Sequence, residues 1–146
     1  MSAVLYTRDI LRLAVSIPHQ QRLDHPDGTA ELRSRTCGSK VAADVMVAES
    51  GTLKDLGFTI NACALGQASA AILGAEAMGK SAADIETARS GLAAFLDGTN
   101  ATPGEWPNLD MLAAAKEHKG RHAAILLPYD AVIAAFADAA AKQKTS

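Results

Sequence analysis

The chain has 146 residues, 49% of them hydrophobic and 21% charged, a composition that fits one compact globular domain of ordinary size. Its two cysteines are too few for a disulfide framework or a four-thiolate zinc ribbon. The formal net charge of −2 lacks the basic excess of proteins that bind a phosphate backbone, so the composition argues against nucleic acid as a partner.

The first part of the chain is predicted to hold one short helix and then strands. Apolar residues recur at helical spacing from Tyr6 to Ser16, and Pro18 ends the run. A turn-rich stretch follows, in which residues 29–34 could supply an edge strand. Residues 41–47 and 53–61 alternate apolar and polar positions and are predicted as two half-buried antiparallel strands joined by a turn.

After Asn61 the pattern becomes helical. One helix is predicted up to Met78, with Gly79 as its C-terminal stop. A second helix is predicted after Ser81, where Asp84 stands three residues on as a weaker version of the Glu or Gln of a capping box.

The remaining chain is predicted to form a loop, a short helix and a long helix. Residues 97–104 have loop composition, 109–116 form the short helix, and 121–141 form the long one, in which Pro128 either introduces a kink or begins the regular part. The tail, 136–146, is expected to fray. The fold class is therefore α+β, with an N-terminal helix, a small three-stranded antiparallel sheet and helices packed on one face. One domain, residues 1–146, accounts for the whole pattern.

No membrane span or export signal is predicted. The longest apolar stretches, 123–127 and 131–137, fall short of the roughly 20 residues that cross a bilayer. The first residues carry Arg8 and Asp9 where a signal peptide would need an apolar core. We therefore expect a reducing, cytoplasmic location in which both thiols are free unless they bind something.

The two cysteines are the main candidates for chemistry. Cys37 precedes a predicted strand and is followed by Gly38, which frees the backbone there. Cys63 opens the central helix, whose unpaired amide groups would stabilise a thiolate. If the two strands between them form a hairpin, both cysteines come to the same edge of the sheet. Burial as small hydrophobic side chains is the alternative for both.

The four histidines, His19, His25, His118 and His122, are more often surface residues than ligands in such positions. His118 and His122 are four residues apart, so an α-helix there would place both imidazoles on one face with metal-ligand spacing. No phosphate-binding glycine pattern is present, and Ser39 and Ser69 lack a local His and acid arrangement, so nothing indicates a turnover enzyme.

Four ordered motifs resemble the iron–sulfur cluster assembly scaffolds of the IscU, SufU and NifU N-terminal family, and the resemblance covers most of the chain. Residues 18–28 read PHQQRLDHPDG, residues 36–39 read TCGS, residues 61–70 read NACALGQASA and residues 78–81 read MGKS. The extra segment before the last helix is closer to the SufU branch than to the IscU branch. The resemblance implies a SufE/NifU-like fold and a cofactor that is an iron–sulfur cluster or a single zinc or iron ion. It also implies a cysteine desulfurase and cluster-acceptor proteins as partners.

Two departures from the family pattern bear on the ligands. The family has an aspartate after Cys-Gly, whereas this chain has Ser39, whose neutral hydroxyl is a poorer ligand for zinc or iron. The third cysteine of the family is missing, and its place falls at Ala124 or, aligned on the His-Cys pair of the IscU branch, at Ala123 after His122. Two thiolates remain where a [2Fe–2S] cluster normally takes four ligands. The chaperone-recognition motif of the IscU branch, Leu-Pro-Pro-Val-Lys, is also absent.

Three functions are compatible with these residues. The first is a divergent scaffold or metal-binding protein in which Cys37 and Cys63 are ligands, His122 is a third, and Ser39, water or a partner's residue completes the set. The second is a sulfur-transfer protein that accepts persulfide sulfur on Cys63. The third is a degenerate paralogue that keeps the fold as a partner-binding or regulatory module. The sequence leaves the oligomeric state open.

Overall fold

A computed structural model describes residues 7–34 and 38–144. The helices and strands are α1 (Arg8–Ala14), β1 (Gly28–Arg33), β2 (Lys40–Val47), β3 (Leu53–Asn61), α2 (Ala64–Glu76), α3 (Ala82–Leu96) and α4 (His122–Lys144), with two 3-10 segments, Leu109–Ala115 and Lys119–Arg121, before α4. This order of helix, strands and helices confirms the predicted α+β class.

The three strands form one antiparallel sheet in the order β1, β2, β3. Gly28 of β1 lies opposite Val45, and Lys40 at the start of β2 lies opposite Asn61 at the end of β3. The ladder is irregular only between Met46 and Val47, close to the β2–β3 turn. Because β2 and β3 form a hairpin, the segment before β2 and the segment after β3 meet at one edge of the sheet.

The helices cover one face of the sheet. α4 packs on β1 and β2, α2 packs against α4 and β3, α1 lies against α2, and α3 lies against α4. The approach of α4 to β1 depends on Gly28, because a Cβ atom there would collide with the carbonyl oxygen of Ala135 and with the backbone of Ala139. The core is the layer between sheet and helices, in which Phe58, Leu65 and Tyr129 are almost fully buried.

The opposite face of the sheet is crossed by the segment between α1 and β1. The backbone N–H of Phe58 donates to the carbonyl of His19 at 2.7 Å, and the chain then passes over Gly57, where a Cβ would collide with the carbonyl of Gln21. Buried Asp44 of β2 receives hydrogen bonds from Arg22 and from the backbone N–H of Leu23. The turn-rich stretch is thus anchored on the sheet.

The structure differs from the sequence prediction in the last third of the chain. The short helix predicted at 109–116 is a 3-10 segment rather than an α-helix. Pro128 lies inside α4, which begins at His122. The expected frayed tail is instead helical through Lys144, because Phe136 and Ala139 are buried and Asp138 accepts a hydrogen bond from the backbone N–H of Thr29 at 2.9 Å.

One helical stretch, Lys119–Gln143, is long and apolar enough to cross a membrane by length and composition, although its uninterrupted apolar runs are short. More than half of its most apolar window is buried inside the domain. Its apolar side chains are therefore accounted for by packing on the sheet, on α2 and on α3.

Candidate metal or cluster site

The candidate site lies at the edge of the sheet where β2 begins and β3 ends. The Lys40–Asn61 pair closes the ladder at this edge. The loop that carries Cys37 enters β2 here, and Cys63 follows β3 by two residues. Cys37 itself lies outside the described residues. The register therefore supports the sequence prediction that both cysteine-bearing segments reach one edge, while the position of the Cys37 thiol is not described.

The loop between β1 and β2 is closed by backbone hydrogen bonds. The N–H of Ser34 donates to the carbonyl of Ser39 at 2.8 Å, and the N–H of Gly38 donates back to the carbonyl of Ser34 at 3.2 Å. Gly38 has φ +71°, in the left-handed region that glycine occupies without steric cost. The glycine of the Cys-Gly motif is therefore required by the shape of the loop, whatever the loop binds.

Ser39 stands where the family has an aspartate, and only 3% of it is exposed. It lies directly before β2. A buried neutral hydroxyl there avoids the desolvation cost that a carboxylate would carry without a bound cation. It is also a weaker donor to zinc or iron.

Cys63 is the N-cap residue of α2, with an extended backbone, φ −65° and ψ 168°. Its side chain makes no capping hydrogen bond and is a half-buried free thiol packed against the core. The first-turn N–H groups of a helix carry partial positive charge, which favours an anionic sulfur close to them. The thiol therefore lies beside the first turn of α2, half-buried.

The first turn of α4 also reaches this edge. Gly66 of α2 leaves room for α4, because a Cβ there would lie 3.2 Å from the carbonyl oxygen of Ala124. The two positions considered for the missing cysteine differ: Ala124 is fully buried against α2, whereas Ala123 is exposed. Ala123 lines a cavity of about 500 Å³ beside Ser34 at the end of β1.

This cavity contains an ion pair that the sequence analysis missed. Arg89 of α3 donates from Nε to Oδ1 of Asp130 of α4 at 3.0 Å, and Arg33 also lines the cavity. The two partners are 41 positions apart and lie on different helices. No local pattern in the sequence could have paired them.

His122 is half-buried, and its Nε2 lies 2.8 Å from the carbonyl oxygen of Ala115. A carbonyl only accepts, so Nε2 carries the proton in this contact and Nδ1 is the nitrogen left to bind a metal. His118 lies before the 3-10 turn, outside α4, so the helical face that the pair would have shared is not formed.

Within residues 7–34 and 38–144, no three His, Cys, Asp or Glu side chains are grouped so that they could hold a metal ion. Cys63 is the only thiol in that part of the chain. A complete ligand set at this edge therefore has to include Cys37 or groups from outside the described residues.

The fold matches solved structures closely. A nitrogen-fixing NifU-like protein (N-terminal) from Brucella abortus superposes with a TM-score of 0.88 and 28% identity, covering 94% of this chain and 96% of that chain. A protein assigned as an iron–sulfur cluster assembly scaffold for the SUF system from Fervidobacterium islandicum has a TM-score of 0.79 and 17% identity, with 90% and 96% covered. A hypothetical protein has a TM-score of 0.71 and 20% identity, with 91% and 97% covered. No protein-family model and no curated protein matches the sequence.

The fold, a small antiparallel sheet covered by helices on one face, is that of the NifU-like N-terminal structure. The resemblance to the IscU, SufU and NifU N-terminal family is thereby confirmed. The predicted placement nearer to the SufU branch is not resolved by these matches and stays a prediction.

Proposed function

We propose that this protein is an iron–sulfur cluster assembly scaffold-like protein that holds iron, zinc or a cluster as cargo through Cys37 and Cys63. The observation that supports the proposal is the Lys40–Asn61 register, because Lys40 is three residues after Cys37 and Asn61 is two residues before Cys63. The scaffold assigned to the SUF system, whose fold this chain shares, supports the same role. Thiolates are soft ligands that suit zinc and iron.

The remaining ligands come from a smaller set than in the family pattern. His122 offers Nδ1, and Ser39 offers a buried hydroxyl. Water or a residue of a partner completes the four positions that zinc or a [2Fe–2S] cluster takes. A cysteine desulfurase as sulfur source and cluster-acceptor proteins as recipients are the partners that this role requires. The protein acts as a carrier rather than as a catalyst.

Elemental analysis tests the metal site. Protein purified anaerobically without a histidine tag is expected to contain about one zinc or iron per chain, or to take up a cluster from iron and sulfide. Cys63→Ala is expected to abolish this binding, because one of the two thiolates is lost. Metal-free protein that also fails reconstitution would contradict the proposal.

The two histidines provide a matched pair of variants for the third ligand. His122→Ala is expected to lower zinc affinity by about tenfold or more, because a ligand is removed from a site with few donors. His118→Ala, four residues away and outside α4, is expected to leave the affinity unchanged. A competition titration against a chromogenic chelator measures both. Equal affinities of the two variants would remove His122 from the ligand set.

A second function, a partner-binding module that has lost cluster chemistry, is favoured by the two departures from the family pattern: Ser39 replaces the aspartate, and an alanine, Ala123 or Ala124, replaces the third cysteine. The double variant Cys37→Ser, Cys63→Ser separates the two functions. Undiminished binding of the assembly partners by this variant, together with metal-free wild-type protein, would support the module. Sulfur transfer is the remaining function that the sequence allows. It would add the mass of one sulfur atom to Cys63 after incubation with a desulfurase.

A further inference from the structure

Strands β1 and β3 are the two edges of the sheet, and β1 pairs with β2 on one side only, so its other side is a free edge. In an antiparallel strand, the backbone N–H and C=O groups of alternate residues point to opposite sides. Thr29 shows which residues point away from β2, because its N–H donates to the carboxylate of Asp138 on α4 rather than to the ladder. Glu31 and Arg33, two and four residues on, therefore present their backbone groups to the free edge.

The edge is covered at one end only. Asp138 occupies the N–H of Thr29, whereas the backbone groups of Glu31 and Arg33 have no hydrogen-bond partner in the described part of the chain. Both side chains are exposed, and 52% of the Glu31 side chain is accessible despite a 3.7 Å contact with Lys40. An edge with unpaired backbone groups is a template for another strand.

The charges on this edge are self-complementary. Glu31 and Arg33 have opposite signs, are two residues apart and project from the same face of the strand, the face that also carries Thr29 beside Asp44. An antiparallel pairing with a second β1 centred on Leu32 places Glu31 opposite Arg33 of the second copy, and Arg33 opposite its Glu31. A register centred on Glu31 or on Arg33 would instead bring like charges face to face, which is destabilising.

We propose that β1 is the docking site for a second copy of this chain. The two β1 strands pair antiparallel about Leu32 and join the two sheets into one of six strands. Each Glu31–Arg33 pair exchanges two backbone hydrogen bonds and forms an ion pair across the twofold axis.

α4 lies beside the free edge. Asp138 is at this edge, and at helical spacing the same flank of α4 holds Ala134, Asp130 and Leu127, of which Asp130 is ion-paired with Arg89 of α3 and Leu127 is buried. The twofold axis places both α4 helices on one side of the joined sheet, next to each other over the two β1 strands.

Charge reversal tests the register. Wild-type protein is expected to show a concentration-dependent monomer–dimer equilibrium in sedimentation analysis. Glu31→Arg and Arg33→Glu each convert two attractive pairs into two repulsive ones, so the dissociation constant of the dimer is expected to rise by about tenfold. The double variant exchanges the two charges and restores both pairs, so it is expected to dimerise like the wild type.

A mixture of the two single variants gives an independent readout. Glu31→Arg protein carries only positive charges at the two positions and Arg33→Glu protein only negative ones, so a 1:1 mixture is expected to dimerise with the wild-type affinity that neither variant has alone. Glu49→Arg and Arg12→Glu change exposed charges elsewhere and serve as controls that leave dimerisation unchanged. A monomer at every concentration, single variants as dimeric as the wild type, or a double variant that stays monomeric would each overturn the proposal.

Discussion

Asp44 is a carboxylate in the middle of the sheet, fully buried on the face opposite the helices. It accepts hydrogen bonds from Arg22 at 2.7 and 2.9 Å, from the Thr29 hydroxyl at 2.7 Å and from the backbone N–H of Leu23 at 3.0 Å. Burial by itself raises the pKa of Asp44. The hydrogen bonds from Arg22, Thr29 and Leu23 and the charge of Arg22 outweigh this effect, so the pKa lies below its usual value.

The direction of this shift predicts an acid-sensitive contribution to stability. Because the folded state has the lower pKa, it binds the proton less readily than the unfolded chain, and the contribution is fully present above the unfolded value of about 3.9. It is lost as the pH falls below about 4 through the lowered pKa. Urea unfolding from pH 7 down to pH 3 is expected to show a fall in unfolding free energy that Asp44→Asn makes smaller.

Removal of the carboxylate tests the same residue at neutral pH. Asp44→Ala is expected to lower the free energy of unfolding by about 2–3 kcal/mol, because the Thr29 hydroxyl and the Leu23 N–H lose their acceptor inside the protein. The side chain of Arg22 is 58% exposed, so water can solvate its guanidinium group when Asp44 is removed. This solvation limits the loss of unfolding free energy. Asp24→Ala, an exposed position in the same crossing segment, is the control, and an equal loss there would contradict the role of Asp44.

Single residues were the part of the structure least open to prediction. Asp44 stands in an alternating strand pattern in which nothing marks it as a buried ion-pair partner of Arg22, 22 positions earlier. Asp27 stands in the turn-rich stretch before β1, and its Oδ2 accepts a hydrogen bond from the N–H of Val47 at 2.7 Å. Both contacts form only when the sheet is assembled, so local spacing does not contain them.

At the scale of elements, the contact of α4 with β1 organises the helical layer. A Cβ on Gly28 would meet the backbone of Ala135 and Ala139, so the helix lies as close to the strand as the two backbones allow. The strand and the helix are therefore in direct contact at Gly28, with no unfilled space between them. Any side chain at Gly28 has to push α4 away from the sheet.

Gly28→Ala is therefore expected to destabilise the protein by about 2–3 kcal/mol through overpacking against backbone atoms that cannot rotate away. Gly120→Ala is the matched control, because nothing lies within 4 Å of a Cβ there and its expected effect is close to zero. Chemical denaturation of both variants measures the difference. Equal unfolding midpoints would show that α4 can shift at no cost.

Elements with strong local signals were predicted well. The strands have the expected order and nearly the expected ends, and the box at the start of α3 forms with both bonds, Asp84 N–H to Ser81 Oγ and Ser81 N–H to Asp84 Oδ2. The elements before and within α4 were harder, because their form depends on packing. In the segment 109–115, Leu109 and Leu112 are buried although the backbone forms a 3-10 helix. Apolar spacing alone therefore did not determine which type of helix forms.

At the scale of the whole molecule, three distant stretches of chain converge on one edge: the β1–β2 loop, the first turn of α2 and the first turn of α4. The hairpin alone predicts that the first two meet, so the sequence is enough to propose a candidate site there. The close approach of Ala124 to Gly66 depends on how α4 packs on the sheet, so the relation of His122 and Ala123 to Cys63 could not be obtained from spacing.

This convergence predicts that metal binding stabilises the whole domain. A zinc ion held by Cys37 and Cys63 binds only when the hairpin is formed, so the folded state alone gains the binding free energy. At free zinc about 100 times the dissociation constant the gain is about 2.7 kcal/mol, which raises the Tm of a domain of this size by roughly 5–10 °C. Thermal unfolding of the wild type with and without zinc measures the shift. Cys63→Ser is expected to lose the shift and His118→Ala to keep it. A full shift in Cys63→Ser would mean that zinc stabilises the protein from some other place than this edge.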